Sequence, residues 1–500
     1  MDEIRVLQIG DRDWRERYRL PGGTEFQYAE KFDKAPGRPY DVVFWDREPG
    51  EEEIMPLHRA TKAYTLFVTE QAALEGQAKR LYECKKGRRL AAGEIQGFLD
   101  HELRNYFPKP YGEKFRFQNL AIARGFCGSV EWNGNYSVCL KGDFGEELRQ
   151  AVFWRNNIPV FQGQCIDLWL EYRKSPGVEI ALTVTQFVQG SIADVQQKWE
   201  FTESDLEQVV SIDNELREGP IFVSLSAKGS GELQITALHD RYSRRGHGHF
   251  LPGGERYVTS EREEIFCYFD PGDRKPPLNV YFSGYKTLEG FEGYNMMRGM
   301  GCPFLLVAEA RLEGGCFYMG SEEYESMLAA AIRRYMGELG FTPAQVILSG
   351  LSMGTFGALY YGCDIMPHVM ILGKPLASIG NVAANERLLR PGGFPTSLDV
   401  LHYLCGSTDK AAVERLNGRF WNKFDGTDWS RSKFVVSYML EDDYDMDAYA
   451  MLLSHLQSEG VQVYGKGLHG RHNDNTGGIV NWFSGQFERL LREDFGRAER

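Results

Sequence analysis

The pentapeptide Gly350-Leu351-Ser352-Met353-Gly354 has the form G-x-S-x-G. It follows the apolar run Val346-Ile347-Leu348 and precedes a helix-like run from Thr355. Strand, sharp turn with a serine, then helix is the context of a nucleophile elbow. Such a turn is strained, so Gly350 and Gly354 must lack side chains for the flanking backbone to pass close by. Thr355, Gly357 and Ala358 are small enough to let the helix pack beneath it. A serine hydroxyl is a weak nucleophile and needs a base that is itself held by an acid.

In hydrolases built on this elbow the chain order is serine, acid, histidine. Acids gather after the strand-like run Phe434–Met439, at Glu441, Asp442, Asp443 and Asp445. Asp442 has the expected reach beyond the strand and is the first choice for the orienting carboxylate. Asp443 is the second, and a merely solvated acidic loop is the alternative to both. A calcium loop is rejected, because the turn glycine is missing and Ser454 stands at the closing position. His469 and His472 lie in a Gly-rich stretch where the base belongs, and polar residues after His472 favour it. His455 falls in a helix-like run and reads as packing or surface. An oxyanion hole would draw one donor from the N–H of Met353. The second would be the N–H of Gly284 or Tyr285, unless that stretch is an ordinary strand-end turn.

Other motifs fail. His101-Glu102-Leu103-Arg104-Asn105 lacks the second histidine of a zinc protease, and no G-K-[ST] phosphate loop occurs. No metal and no cofactor are expected. Arg241, Arg244, Arg245, His247 and His249 form a basic cluster that reads as a solvated turn.

The elements around these residues divide the chain into three. Residues 1–110 read as a small α/β unit, with strands Ile4–Gly10, Tyr40–Trp45 and Tyr64–Val68 and a helical stretch over Gln71–Asn105. No G-x-G-x-x-G follows Gly10, so nucleotide binding has little support. Residues 111–260 show recurrent short strands between turns, including Gly128–Val138, Val178–Phe187, Ile221–Ser226 and Gln234–Leu238. This pattern predicts a β-sandwich, for which carbohydrate binding is one open reading. Residues 261–500 alternate strand and helix after the breaker run Asp270–Pro277. Strands are expected at Leu278–Phe282, Phe304–Ala308, Gln345–Leu348, Val369–Leu372, Lys433–Met439 and Val461–Tyr464. Helices are expected at Glu322–Leu339, Asp447–Gln457 and Gly478–Leu491. The fold class is α/β, with a C-terminal α/β-hydrolase domain on a mostly parallel sheet.

Composition agrees with a large globular protein: 42% of residues are hydrophobic and 25% charged over 500 residues. The net charge of −13 argues against nucleic-acid binding. The 9 cysteines form no C-x-x-C pair and no disulfide framework is expected. No stretch is long and apolar enough to span a membrane, and the acidic start is unlike a signal peptide. A cytoplasmic protein is the expectation.

Several segments also look familiar as a set: Pro276–Tyr285, Glu289–Tyr294, Leu348–Ala358, Asp442–Asp445 and Gly470–Asp474. On these the chain resembles the second accessory secretory protein family of the accessory Sec system. The likeness is dense over residues 230–490, thinner at the N-terminus and hardly present over residues 110–220. The resemblance implies partners: companion accessory secretory proteins, the accessory Sec motor ATPase and a serine-rich repeat glycoprotein client. It implies O-acetylation of N-acetylglucosamine on that client through Ser352, Asp442 and His472, alongside a role in export at the membrane translocon. It also adds weight to His472 over His469, while the acid of the family can be Asp or Glu. A plain carbohydrate esterase, or a non-catalytic export adaptor with a vestigial site, are the rival readings. The acyl donor is not legible.

Overall fold

A computed structural model describes residues 3–388, 397–456 and 460–498. Three sheets follow one another along the chain.

The first is a five-stranded parallel sheet of β1 (Ile4–Ile9), β2 (Thr24–Ala29), β3 (Val42–Trp45), β4 (Leu66–Thr69) and β5 (Arg88–Leu90), ordered β2-β1-β3-β4-β5. Its central strands are fully buried because helices cover both faces, which is why Val42–Trp45 reads as an unbroken apolar run. Sheets of this order bind ligands beyond the carboxyl ends of β1 and β3. There the buried Trp14 indole N–H donates to Asp46 Oδ2 at 3.1 Å. The expected continuous helical stretch over Gln71–Asn105 is instead a helix at Gly76–Cys84, strand β5 and short helical turns. Strand Thr24–Ala29 and helix Glu51–Ala60 were not among the elements expected.

The second sheet is antiparallel and ten-stranded. The two short strands expected at Ile221–Ser226 and Gln234–Leu238 are parts of one 24-residue strand, Gly219–Tyr242. That strand pairs with Ser137–Trp154, Val178–Phe187 and Cys165–Lys174, so it spans both layers of the sandwich. The expected strand Gly128–Val138 is a hairpin, Ser129–Asn133 and Ser137–Trp154, turning at Gly134 with φ 52°.

The third sheet carries the α/β-hydrolase fold. Its strands lie in the order Glu255–Val258, Glu264–Asp270, Phe304–Glu309, Leu278–Phe282, Val346–Leu351, Val369–Gly373, Lys433–Met439 and Gln462–Leu468. The first two are antiparallel and the rest parallel. The domain break read at residue 260 therefore falls earlier, because Glu255–Val258 already pairs in this sheet. One face packs on helices Glu322–Leu339 and Met353–Ile365, the other on Tyr294–Met300 and Thr476–Glu493. Ser321 caps Glu322–Leu339 by accepting from the Tyr324 N–H, and Gly340 ends it at φ 71°. The helix expected at Asp447–Gln457 is Ala448–His455, with Gln457 outside the described residues. Three helices between Val369–Gly373 and Lys433–Met439, at Ile379–Leu388, Ser397–Cys405 and Lys410–Asp425, had no counterpart in the sequence reading.

The basic cluster is not a solvated turn. Arg241, Arg244 and His239 are buried where the units meet. Arg244 donates to the carbonyls of Asn105 (2.8 Å), Phe107 (3.0 Å) and Phe250 (2.8 Å), and burial pushes its pKa down to about 9. Arg241 forks onto Glu264 at 2.8 and 2.6 Å and reaches Glu289 at 2.6 Å. His239 lies 2.6 Å from Glu289 through Nδ1 and 3.1 Å from Glu171 through Nε2. Both ring nitrogens face carboxylates, which only the imidazolium satisfies. Burial alone would lower the histidine pKa and Arg241 opposes protonation, yet Glu289 and Glu171 hold it above 6.5. Sandwich residues Glu171, His239 and Arg241 are thereby joined to Glu264 and Glu289 of the hydrolase domain.

A histidine raised on folding stabilises fully below its unfolded pKa near 6.5 and loses that contribution as pH rises through the higher folded value. The gap in thermal midpoint between wild type and His239→Gln is expected to be largest near pH 6 and to shrink toward pH 9. A gap independent of pH would contradict the imidazolium.

Candidate active site

Strand Val346–Leu351 ends at Ser352, and helix Met353–Ile365 begins immediately after it. Ser352 has φ 52° and ψ −121°, a conformation costing on the order of 1–3 kcal/mol that packing must enforce. The two glycines explain how. A Cβ on Gly350 would lie 2.3 Å from the Gly354 carbonyl carbon, and one on Gly354 would lie 2.1 Å from the Phe282 oxygen. Thr355 does more than stay small: its hydroxyl donates to the Ser352 carbonyl at 2.6 Å and accepts from the Leu376 N–H at 2.9 Å.

Ser352 Oγ lies 2.8 Å from His472 Nε2, and His472 Nδ1 lies 2.8 Å from Asp442 Oδ2. With Nδ1 donating to the carboxylate, the Nε2 lone pair faces the hydroxyl. His472 is 2% and Asp442 7% exposed, so water competes little for these bonds. The Tyr444 ring meets the imidazole edge-on, with centroids 4.3 Å apart.

The four neighbouring acids separate by partner. Asp442 Oδ1 accepts the N–H groups of Tyr444 (2.8 Å) and Asp445 (3.3 Å), fixing the carboxylate that faces the ring. Asp443 accepts the His472 backbone N–H at 3.1 Å. Asp445 is turned away, accepting from Ala377 and Ser378 at 2.8 Å each, with burial raising its pKa. Glu441 binds the Gly470 N–H at 2.5 Å, which lowers its pKa, and contacts exposed His469. His469 thus stays outside the Ser352 contact, and His455 stacks on Trp421 beside Asp425.

A cavity of about 410 Å³ opens on this point, lined by Gly284, Tyr285, Glu292, Ser352, Met353 and His472 among others. The Met353 N–H belongs to the first turn of its helix, where the backbone dipoles favour negative charge. The second expected donor needs a correction. The Gly284 N–H already donates to Glu292 Oε2 at 2.6 Å, so that amide is engaged, while Tyr285 lines the cavity. Lys374, which sequence reading missed, also lines the cavity. Its ammonium reaches Thr476 Oγ1 (3.1 Å) and the Asp474 carbonyl (3.3 Å), tying the histidine loop to the end of strand Val369–Gly373. Burial lowers its pKa. A lone lysine after a strand carries no sequence signal of such a role.

The family model for Asp2, the accessory Sec system GspB-transporter, matches residues 4–497. The chain belongs to that family. An accessory Sec system protein Asp2 of Streptococcus gordonii is 36% identical over 509 aligned positions, covering 100% of both chains. Its counterpart in Staphylococcus aureus (strain NCTC 8325 / PS 47) is 36% identical over 519 positions, covering 99% of this chain and 98% of that one. Among solved structures, a chain of the Glycosylation Associate Protein (Gap123) complex from Streptococcus agalactiae superposes with a TM-score of 0.86 at 34% identity, covering 99% of each chain. The likeness thus extends through residues 110–220, where the sequence reading found little.

The partners of the acids set their order. Asp442→Asn should slow fluorophosphonate labelling of Ser352 by up to about 10⁴-fold, because the ring loses its tautomer. Asp443→Asn, which keeps an oxygen for the His472 N–H, should slow it by less than about ten-fold. Equal losses measured by mass spectrometry would contradict this division.

Proposed function

We propose that this chain is a serine acyltransferase of the accessory Sec system that O-acetylates N-acetylglucosamine on a serine-rich repeat glycoprotein and also supports its export. The observation that carries the catalytic half is the contact chain from Ser352 through His472 to Asp442, closed at 2.8 Å on both links. In this reading Ser352 Oγ attacks the acyl carbonyl while His472 Nε2 takes the hydroxyl proton, and Asp442 stabilises the imidazolium. The oxyanion is met by the N–H of Met353 at the start of the helix. His472 returns the proton to the leaving group, and acetyl-Ser352 remains. A sugar hydroxyl then gives its proton to His472 and attacks the acetyl carbon, which releases the ester and restores Ser352.

Family membership supports the export half. A relative's structure is described as a Gap123 complex, and assembly with companion accessory secretory proteins is the corresponding proposal here. The motor ATPase and the glycoprotein client complete it. No helix among the described residues is long and apolar enough to cross a membrane, which fits attachment to a translocon through partners. Cytoplasmic residence is part of the same proposal.

Mass spectrometry of client glycans from cells with wild-type or Ser352→Ala protein tests it. Acetylated N-acetylglucosamine should be present with wild type and lost with Ser352→Ala, while export of the client continues. Acetate removed by the wild type would make it an esterase. Glycans identical in both strains would make it an adaptor.

A further inference from the structure

The end of strand Val369–Gly373 touches the elements that carry Ser352, Asp442 and His472. The Gly373 carbonyl accepts the Ser352 N–H at 2.8 Å, which joins this strand end to the elbow. The next residue, Lys374, donates its own N–H to the Ser437 carbonyl at 2.8 Å, on the strand that leads to Asp442. Its side chain then crosses to the histidine loop, where Nζ reaches Thr476 Oγ1 at 3.1 Å and the Asp474 carbonyl at 3.3 Å. Lys374 has φ 57°, uncommon for a residue with a side chain and a kind of backbone that clusters at functional sites.

The histidine loop is thereby gripped from both sides of His472. Before the ring, the acid loop holds it, with Glu441 accepting the Gly470 N–H at 2.5 Å and Asp443 the His472 N–H at 3.1 Å. After the ring, Lys374 ties it to the centre of the sheet. Lys374 is 6% exposed, so water competes little for those bonds. Charge points the same way. The titratable groups around the imidazole are Asp442, Asp443 and Tyr444 of the acid loop, Arg471 and Asp474 of its own loop, and Glu292 on the wall of the shared cavity. Arg471 is exposed and paired with Asp474, whereas the buried Lys374 ammonium acts on Asp442 and Asp474 from within. A cation beside the Asp442–His472 pair disfavours the imidazolium, leaving Nε2 able to accept a proton.

We infer that Lys374 is a positioning residue for the base: it fixes the far side of the His472 loop against the elbow and sets a positive charge beside the Asp442–His472 pair. The inference rests on Ser352 being the nucleophile and His472 its base. It concerns the acylation step, so it is tested without the sugar acceptor.

The experiment uses the full chain with p-nitrophenyl acetate turnover across pH and fluorophosphonate labelling of Ser352, comparing wild type, Lys374→Met and Lys374→Arg. Lys374→Met keeps the length of the side chain but neither donor nor charge. It should lower kcat by about 30- to 100-fold with KM within about two-fold, since a displaced base affects the transition state more than the bound ester. Lys374→Arg keeps charge and donors and should stay within about five-fold of wild type. The acid limb of kcat/KM reports the base of the free enzyme. Without the cation the imidazole holds its proton to higher pH, so in Lys374→Met that limb should move up by roughly half a unit, while Lys374→Arg leaves it in place. A merely structural lysine would not move the limb. Thermal midpoints report any loss of fold, and if Lys374→Met does not fold, Thr476→Val carries the test, with kcat falling about 3- to 10-fold and the limb unmoved because the charge remains. A methionine variant with wild-type kcat, an arginine variant as slow as methionine, a loss confined to KM, an unmoved limb in the methionine variant, or wild-type kcat in Thr476→Val where it stands in would overturn the assignment. Wild type that fails to take the probe would remove the nucleophile and this inference together. Labelled wild type with an unaffected methionine variant would remove only the inference.

Discussion

The geometry around Ser352 depends on how closely the backbone after it can approach the strand Leu278–Phe282. The Phe282 carbonyl stands 2.1 Å from where a Cβ on Gly354 would be. Only a glycine permits that approach, and only that approach holds Ser352 at φ 52°. Everything else in the site is referred to this fixed point. The helix that starts there presents its first N–H, the strand alongside delivers the Ser283-Gly284-Tyr285 loop, and the parallel register places the acid and histidine loops at the same end of the sheet. The three side chains come from positions up to 120 residues apart, yet their relative placement follows from adjacent strands ending together.

A second constraint operates at the junction of the units. Glu171, His239, Arg241, Glu264 and Glu289 are buried together, an arrangement that contributes little net stability when complete and strongly destabilises when one partner is lost. Its value lies in geometry. Glu289 belongs to the same short segment as Glu292, so the interface that docks the sandwich also braces the loop facing Ser352. Three positions of chain separate Glu289 at the junction from Glu292 at the loop.

Much of this was legible beforehand. Helix Glu322–Leu339 and strands Val178–Phe187 and Lys433–Met439 have the bounds that periodicity and caps imply. Other elements escaped for identifiable reasons. Strand Gly219–Tyr242 contains Gly229, which looks like a turn but sits where the pairing with Ser137–Trp154 shifts register, a bulge within one continuous strand. Helices Ile379–Leu388 and Ser397–Cys405 pack on one another and on Lys410–Asp425, so their apolar residues do not form one clean stripe. Arg241 and Arg244 look like surface charges because nothing in their neighbourhood along the chain shows the carboxylates and carbonyls that receive them.

The chain by itself determined the elbow and the candidate serine, acids and histidines in their order, because these are carried by local steric rules and by what a late strand-end loop can reach. Tertiary structure decided among the candidates. It turned Asp442 rather than Asp443 to the ring, brought His472 rather than His469 to Ser352, and gave the Gly284 amide to Glu292. Each choice hangs on the direction of a side chain across a gap of a few ångströms, and those at the histidine join loops distant in sequence. Neither propensity nor spacing encodes that direction, and only the packed sheet fixes it.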